Sequence, residues 1–398
     1  MSVLVVRIRR WAGLSALLVL PLLAGCAGFF PKTTSTTSTG TGSGGTTTSN
    51  TGDYAYVASS FLSGSTAIYT LTGFSVGSGA LAKLSGFPVT LPFAPITTAI
   101  TPANTYLYVG GQGSIYGYAI SSTGALTQLG SNGSVILATA NVVAMDISPD
   151  GQWLFALDSN GSTIDEYQIQ ANGLLAPTTG TAYAVASGTP VVPSGIRVSK
   201  NPNNAYLAVA LGTGGDLLYT LNTSTGGITF VTAVPPPTTS TADQAVTFDA
   251  SGATLYVARS GTYGGLVPFA IGQGGTLTAV SGAPFALGAG PSSIVIDSTG
   301  KYVYVGNKVS GTISGFSIGS GGVLTALSGS PYASGSGVAS LGRDNSGTYL
   351  LAAAVNGGPD VQMYTFDSTT PGKLDPSGTA FTGNPIEPAG ALSVALTH

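Results

Sequence analysis

The 398-residue sequence has one cysteine, one histidine and few charged side chains. Charged residues make up 7% of the chain, whereas about a quarter is usual in a soluble domain. With one cysteine, no disulfide bond can form within the chain. The single histidine, His398, is the last residue of the sequence, and we expect it to be frayed. A Ser-His-Asp triad and a histidine-based metal site are therefore excluded, and no metal or other cofactor is predicted.

The shortage of charge does not indicate disorder, because 43% of the residues are hydrophobic and disordered chains are poor in such residues. The formal net charge is −3. Proteins that bind nucleic acids carry clustered lysines and arginines, and no such cluster follows Arg10. A nucleic-acid partner is therefore excluded.

The first 25 residues have the pattern of a signal peptide. A basic stretch at residues 7–10 precedes an apolar stretch over residues 12–24, which is too short to span a bilayer comfortably. Residues 23–26, LAGC, resemble the bacterial lipobox. We therefore predict cleavage before Cys26 and lipidation of its side chain, which makes the membrane a partner. The predicted location is the bacterial cell envelope, on its periplasmic side or at the cell surface.

Residues 26–52 are predicted to form a flexible tether that begins with the lipidated cysteine. Residues 33–52 contain no apolar side chain, so this segment cannot bury enough surface to offset the entropy lost on folding. A flexible chain of this length has a root-mean-square reach of about 25 Å. Such a tether would hold a folded domain clear of the lipid headgroups.

After the tether, one short phrase recurs at intervals of 47 to 53 residues. Its seven copies are YAYVA at 54, YLYVG at 106, WLFAL at 153, YLAVA at 206, TLYVA at 254, YVYVG at 302 and YLLAA at 349. A repeat of this period indicates stacked supersecondary units. Each unit contains strand-forming residues and turn residues but no helical pattern, which is typical of β-propeller blades.

Each unit is predicted to contain four strands, of which the phrase is the second. The third strand carries an aromatic residue and, two positions later, an apolar one, such as Phe316 and Ile318. This alternation predicts core packing between neighbouring sheets. The first unit lacks a strand before Tyr54, and the strand at residues 389–396 has no unit after it. We therefore predict that the C-terminal strand pairs into the N-terminal blade and closes a ring.

The sequence thus predicts an all-β fold over residues 53–398, a seven-bladed β-propeller of four-stranded antiparallel blades. The phrases SPDGQWLFALD, PSSIVIDSTGKYVYVGN and GFSIGSGGVLTALSGSPY resemble the repeats of the seven-bladed propeller lactonase family of the 6-phosphogluconolactonase type. Related surface-layer propellers with YVTN repeats share these phrases. The resemblance covers the whole predicted propeller. It implies the fold and makes lactone hydrolysis a candidate activity.

Active members of that family carry polar residues that this sequence replaces. The resemblance implies a Pro-Arg-His run before a first strand and an Asn-Glu pair after the second. The matching residues are Pro291, Ser292 and Ser293, then Asn307 and Lys308. The family's arginine, histidine and glutamate are therefore Ser292, Ser293 and Lys308 here.

Two further signatures of the family are incomplete. A pair of histidines expected before the SPDG phrase is replaced by Asn-Val-Val at residues 141–143. In the Asp-Leu-Gly-x-Asp run expected after the next strand, Asp158 matches the first aspartate and the following residues depart from the pattern. No complete set of catalytic residues is predicted.

Alignment of the repeats places small, neutral residues at the rim of the central channel. They are Ile96/Thr97, Val143/Ala144, Ser194/Gly195, Gln244/Ala245, Ser292/Ser293, Ala339/Ser340 and Ala389/Gly390. Asp243 lies near this rim, and Asp146, Arg197 and Arg343 lie deeper in the first strands. Together with Asp158 and Asn307, which follow second strands at positions that match the family's signatures, they are the candidate ligand-binding residues. Asp146 and Arg197 occupy equivalent positions in adjacent blades and are the candidates for a small polar pocket. The favoured alternative is that the charged residues of the inner strands pair with one another or reach solvent at the strand ends.

Two kinds of function remain. One is a membrane-anchored, extracytoplasmic propeller that acts without catalysis, either by binding a glycan or a protein at the channel mouth or as part of the envelope surface. The other is a lactonase-like hydrolase acting on a sugar lactone, which the fold analogy keeps open. The replaced arginine, histidine and glutamate favour the first. A deep channel with convergent carboxylates and arginine would favour the second.

Overall fold

A computed structural model describes residues 53–77, 79–130, 136–160, 163–178, 180–182, 191–383 and 390–398. In these residues the chain forms 32 β-strands and three short 3₁₀ turns, Pro202–Asn204, Gln273–Gly275 and Ser320–Gly322. The strands form seven antiparallel sheets. No helix in this part of the chain is long and apolar enough to cross a membrane. The predictions for residues 1–52, including Cys26 and the tether, lie outside the described residues.

Blades 1, 2, 3 and 6 each include one short additional strand that pairs with the third strand. Blade 1 contains β1 (Tyr54–Ser63), β2 (Thr66–Gly77), β3 (Ala80–Lys83) and β4 (Val89–Leu91). Blade 2 contains β5 (Pro95–Ile100), β6 (Tyr106–Gly111), β7 (Ser114–Ile120), β8 (Leu126–Gln128) and β9 (Ile136–Ala138). Blade 3 contains β10 (Val142–Ile147), β11 (Trp153–Asp158), β12 (Thr163–Ile169), β13 (Leu175–Pro177) and β14 (Thr181–Ala182).

The remaining blades follow the same order from the channel outward. Blade 4 contains β15 (Gly195–Val198), β16 (Tyr206–Ala210), β17 (Asp216–Leu221) and β18 (Ile228–Val234). Blade 5 contains β19 (Thr241–Phe248), β20 (Thr254–Gly261), β21 (Gly265–Ile271) and β22 (Leu277–Ala279). Blade 6 contains β23 (Pro291–Ile296), β24 (Tyr302–Asn307), β25 (Thr312–Ile318), β26 (Leu324–Ala326) and β27 (Tyr332–Ala333). Blade 7 contains β28 (Val338–Arg343), β29 (Tyr349–Ala354), β30 (Val361–Phe366) and β31 (Leu374–Ala380), and β32 (Gly390–Leu396) follows.

Strand β32 is the first strand of blade 1 and closes the ring, which confirms the prediction. It pairs antiparallel with β1, with Val394 opposite Val57. Beyond the paired stretch, the Thr397 amide donates to the carbonyl oxygen of Tyr54 at 3.0 Å, and the Tyr54 amide donates to Thr397 Oγ1 at 2.9 Å. Blade 1 is therefore built from both ends of the propeller domain.

The hydrophobic core lies between adjacent blades. Side chains from facing sheets pack into seven clusters, and each cluster combines residues of two neighbouring blades. In one cluster, Tyr304 of blade 6 packs with Leu350 and Tyr364 of blade 7. The aromatic residues predicted for the third strands, such as Phe74 and Tyr364, are buried in these clusters. No blade can bury its faces without its neighbours.

The second-strand phrase joins a blade to the outer turn of the next blade. Buried aromatic side chains of blades 1, 2, 3 and 6 donate hydrogen bonds to backbone carbonyl oxygens of that turn. The pairs are Tyr56 to Gly124 (2.8 Å), Tyr108 to Gly173 (2.9 Å), Trp153 to Thr223 (2.8 Å) and Tyr304 to Gly372 (2.6 Å). Burial raises the pKa of the three tyrosines, so their hydroxyl groups remain protonated donors.

The turn that accepts this bond requires glycine. Gly372 has a φ of +84°, and a Cβ built on it would lie 2.5 Å from Cδ1 of Tyr302. Gly173 has a φ of +79°, and its Cβ would lie 2.6 Å from Cδ1 of Tyr106. In both blades the first tyrosine ring of the phrase occupies the space of the missing side chain. The tyrosine phrase and the glycine turn of the next repeat are therefore parts of one contact.

We expect Gly372→Ala to destabilise the propeller more than Gly300→Ala. Both glycines have positive φ, +84° and +70°, which costs a side chain about 1–2 kcal/mol. No atom lies within 4 Å of a Cβ at Gly300, whereas the clash with Tyr302 should add about 1–3 kcal/mol at Gly372. Urea unfolding of both variants measures the difference, and equal losses of unfolding free energy would contradict the contact.

Candidate functional site

The first strands of the blades line a central channel with two cavities. The smaller cavity, of about 140 Å³, lies where these strands begin, and the larger, of about 480 Å³, lies where they end. The residues that line both are Thr98, Arg197, Ile294, Leu341 and Val394. The two cavities therefore meet at the level of these residues. We call the smaller cavity the neutral end and the larger cavity the charged end.

The neutral end is lined mainly by the small residues predicted for the rim. They are Ile96, Thr97, Val143, Ala144, Ser194, Gly195, Ala245, Ser292, Ser293, Ala339 and Ser340, joined by Leu392 and Ser393. A β-bulge recurs near the start of the first strand in six blades, at Ile96, Val143, Gln244, Ser292, Ala339 and Leu392. Bulges re-aim side chains, and five of these residues line the cavity. Arg197 is the one charged residue among its described lining residues.

The two serines at the positions of the family's arginine and histidine join blade 6 to blade 7. Ser292 Oγ donates to the carbonyl oxygen of Val338 at 2.7 Å, and Ser293 Oγ accepts from the Leu341 amide at 3.1 Å. Lys308 is exposed and lines neither cavity. These positions therefore serve contacts between blades and supply no catalytic base at the neutral end.

Two of the predicted ligand-binding residues, Asp158 and Asn307, lie outside both cavities. Asp158 Oδ1 accepts from the amide of Asn160 in the turn after β11, at 2.8 Å. Asn307 is fully buried at the end of β24, where its Nδ2 donates to Thr312 Oγ1 at 3.2 Å and to Ser314 Oγ at 3.0 Å. The structure does not bring them to the channel, because both side chains form hydrogen bonds at the ends of second strands.

Asp243, a third predicted residue, is fully buried between blades 4 and 5 instead of facing the channel. Its carboxylate forms a bidentate ion pair with Arg259, at 2.5 Å to Nε and 3.1 Å to Nη2. A second carboxyl group, that of Asp216 on β17, lies 3.6 Å from Nη2 of Arg259. Burial and the charge of Asp243 raise the pKa of Asp216 well above its ordinary value. Sequence analysis did not identify Asp216 or Arg259, because they come from separate strands.

The charged end brings together the other three predicted residues, Asp146, Arg197 and Arg343, at the ends of β10, β15 and β28. Lys200 and His398 also line this cavity. The sequence gives one indication that Lys200 belongs to this site. Lys200 follows Arg197 by three residues, and basic residues are rare in this chain, which has 12 lysines and arginines in total. The charged side chains of the channel thus gather opposite the predicted rim.

Asp146 pairs with Lys200 and not with Arg197. Asp146 Oδ1 lies 3.3 Å from Lys200 Nζ and accepts from the Ile147 amide at 2.9 Å, while Oδ2 accepts from the Val198 amide of blade 4 at 2.8 Å. Arg197 Nη1 donates to its neighbouring backbone carbonyl at 3.0 Å. Burial opposes ionisation of Asp146, but the charges of Lys200 and Arg197 and the two amide donors together lower its pKa.

His398 is held in place and is not frayed as expected. Its amide donates to Asn104 Oδ1 at 2.8 Å, and Asn104 Nδ2 donates to its carbonyl oxygen at 2.7 Å. Burial and the positive charge of Lys200, with a further contribution from Arg343, lower the pKa of His398 below its ordinary value. This shift favours the neutral form of the imidazole.

The remaining carboxylates of the charged end belong to Asp249, Asp297 and Asp344, which begin the turns between first and second strands. Each accepts hydrogen bonds from backbone amides of its own turn. The donors are Ala253 and Thr254 for Asp249 (both 2.9 Å), Lys301 and Tyr302 for Asp297 (both 2.8 Å) and Tyr349 for Asp344 (2.8 Å). Across the described part of the chain, no group of three or more His, Cys, Asp or Glu residues could hold a metal ion.

The sequence pattern of the family described as "Lactonase, 7-bladed beta-propeller" matches residues 45–385. The chain belongs to this lactonase family. The match begins before β1 and ends before β32, so it includes all the repeats. It confirms the resemblance found in the repeat phrases and agrees with the observed seven blades.

Solved structures with the fold of this lactonase-family propeller include three bacterial proteins. A candidate 6-phosphogluconolactonase from Bacteroides uniformis has a TM-score of 0.67 and 17% identity, covering 86% of this chain and 99% of its own. The periplasmic gluconolactonase of Pseudomonas aeruginosa has a TM-score of 0.59 and 16% identity, covering 87% and 99%. A protein from Lactobacillus plantarum has a TM-score of 0.67 and 15% identity, covering 87% and 99%. At these identities the likeness shows the fold alone. No curated protein sequence matches this chain.

We expect Asp216→Asn to stabilise this lactonase-family propeller at neutral pH. Because the pKa of Asp216 is raised in the folded state, the folded protein keeps a proton that the unfolded chain releases above about pH 4. Stability therefore falls as the pH rises from about 4 toward the raised pKa, by up to about 1.4 kcal/mol per pH unit. Asparagine has no carboxyl group to ionise, so the variant does not lose stability in this way as the pH rises. Unfolding free energies at pH 4 and pH 7 should show the advantage of the variant at pH 7, and an equal difference at both values would contradict the expectation.

Asp243→Asn is the matched control for this prediction. It changes the same functional group in the same cluster, but it removes the short bidentate partner of Arg259. We expect a loss of about 1–3 kcal/mol at pH 7, because a charge-assisted hydrogen bond is lost in a buried site. At pH 7, Asp216→Asn should therefore raise the free energy of unfolding and Asp243→Asn should lower it.

Proposed function

We propose that this lactonase-family propeller is exported, is anchored to the membrane through a lipidated Cys26, and acts by binding a glycan or protein partner at its channel mouth instead of hydrolysing a lactone. The observation that carries the proposal is the composition of the neutral end. Lactone hydrolysis needs a base or metal to activate water and a donor or cation to stabilise the oxyanion. At the family's arginine and histidine positions, Ser292 and Ser293 instead bond to blade 7.

Export and anchoring are supported by the sequence before the propeller. Residues 12–24 and the LAGC sequence at residues 23–26 have the order of a lipoprotein signal peptide. A propeller of the same fold in Pseudomonas aeruginosa is a periplasmic gluconolactonase. A lipid on Cys26 would anchor the chain without a membrane span.

A partner at the neutral end is supported by exposed apolar side chains around it. Leu62 lies near the end of the second strand β1, and Tyr263 and Val309 lie on turns between second and third strands. These positions are on the face where the first strands begin. Their exposed fractions are 66%, 63% and 78%. Exposed apolar and aromatic groups on loops of a rigid scaffold are typical of binding surfaces for proteins and for sugar rings.

The alternative function is a lactonase-like hydrolase acting on a sugar lactone at the charged end. It is favoured by one observation, which is that carboxylates and arginines line the larger cavity. Against it, the carboxylate of Asp146 is held by two amides and Lys200. A carboxylate stabilised in its ionised form is a weak general base.

We expect the purified protein to hydrolyse neither glucono-δ-lactone nor its 6-phosphate faster than the spontaneous reaction. Loss of a general base removes about 10²–10⁴ in rate, and loss of an oxyanion donor removes about 10²–10³ more. Titration of the released acid, with and without divalent metal ions, measures the rate. Robust turnover that disappears in Arg197→Gln and Asp146→Asn would overturn the proposal and place an active site at the charged end.

We expect Cys26→Ser to remove the protein from the membrane fraction or to leave it as an unprocessed precursor, because serine cannot form the thioether that carries the lipid. Membrane fractionation and mass spectrometry of the N-terminus measure both outcomes. A fully processed Cys26→Ser protein that still fractionates with membranes would refute the anchor.

A further inference from the structure

The charged end contains basic side chains whose hydrogen-bonding capacity is not used by the protein. An arginine guanidinium has five N–H donors. Arg197 uses one of its terminal nitrogens to bond the carbonyl oxygen of Ile196. The side chain of Arg343 is exposed and has neither a hydrogen-bond nor an ion-pair partner in the described part of the chain. Most donors of the two guanidinium groups are therefore available to a ligand.

The acidic side chains of the same cavity are already occupied. Asp146 accepts from two amides and pairs with Lys200. The three turn aspartates, Asp249, Asp297 and Asp344, each accept from donors within their own turns. These bonds use part of the acceptor capacity of each carboxylate and leave less of it for a cation or a hydroxyl group. The unused polar capacity of the charged end is therefore cationic.

The two arginines approach the cavity from opposite sides of the ring. Arg197 belongs to blade 4 and Arg343 to blade 7, which are three blades apart in a ring of seven. Lys200 lies on the side of Arg197, where it pairs with Asp146 of blade 3. A molecule in the centre of the cavity thus meets positive charge at both ends. The lining of the same cavity also includes apolar residues, among them Met145, Phe248 and Ile296.

We propose that the charged end binds a small organic dianion, with one anionic group held by Arg197 and the other by Arg343. Carboxylate and phosphate groups both fit, because a planar guanidinium donates to either through two parallel N–H groups. The cavity volume of about 480 Å³ is within the range of about 300–1,000 Å³ found for small-molecule sites. The proposal goes beyond the proposed function and does not depend on whether a lactone is hydrolysed.

Calorimetric titration of the purified full-length protein tests the proposal. The probes are succinate and adipate, which differ in the separation of their carboxylates, 3-phosphoglycerate, which carries a phosphate and a carboxylate, and butyrate as a monoanion. At least one dianion should bind with a dissociation constant below about 1 mM. Butyrate should bind about tenfold more weakly or not at all, because it can engage only one arginine. Preference for a dicarboxylate or for 3-phosphoglycerate identifies the anionic group.

Arg197→Gln and Arg343→Gln should each weaken binding of the preferred dianion by about tenfold or more. Lys83→Gln is the matched control, since it removes one positive charge from the outer strand β3, away from the channel. It should leave the affinity unchanged. Melting temperatures of the variants confirm that each is folded.

Three results would overturn the proposal. They are no saturable binding of any dianion up to about 10 mM, equal affinity for butyrate and the dianions, and unchanged affinity in both arginine variants. Lactone turnover measured on the same samples reports on the proposed function separately. Turnover together with dianion binding would refute the non-catalytic role alone, and absence of both would refute the dianion site alone.

Discussion

Hydrogen bonds from second-strand aromatic residues to the outer turn of the next blade hold the repeats in register. The hydroxyl group of Tyr108 is buried, and leaving it unpaired would cost about 1–3 kcal/mol. Its acceptor is the carbonyl oxygen of Gly173. In that turn, the ring of Tyr106 occupies the space that a side chain on Gly173 would need. Because the donor and acceptor lie in successive repeats, a blade completes its contacts only when its neighbour is folded. Blade 1 also depends on a distant part of the chain, because β32 supplies its first strand and closes the ring.

The bulged first strands decide where side chains reach the channel. At the bulge, one residue in each of five blades lines the neutral end, and the strand then continues to the charged end. Residues at the two ends are therefore different positions of the same strands, as Ser292 and Asp297 of blade 6 illustrate. Among the described residues that line both cavities at once, Arg197 is the one that is charged.

The fold could be predicted from the sequence because its signals are local and repeated, and the missing strand before Tyr54 was enough to predict ring closure. The site was harder. Asp243 occupies the position held by Val142 and Val338 in other blades, and both of those valines are fully buried. From this equivalence, the sequence could have predicted that the charge of Asp243 is buried. Its partner Arg259 lies directly opposite it on the neighbouring strand. The pairing of Asp146 with Lys200 could not be predicted, because it depends on the path of the chain after β15 and on side-chain direction.

The two ends of the channel differ in the side chains that they offer to a partner. Tyr54 is hydrogen-bonded to Thr397, next to His398 of the charged end. The exposed apolar turns of the opposite face, which carry Tyr263 and Val309, remain accessible to larger partners. The two proposals therefore assign a small anion to the charged end and a larger partner to the opposite face.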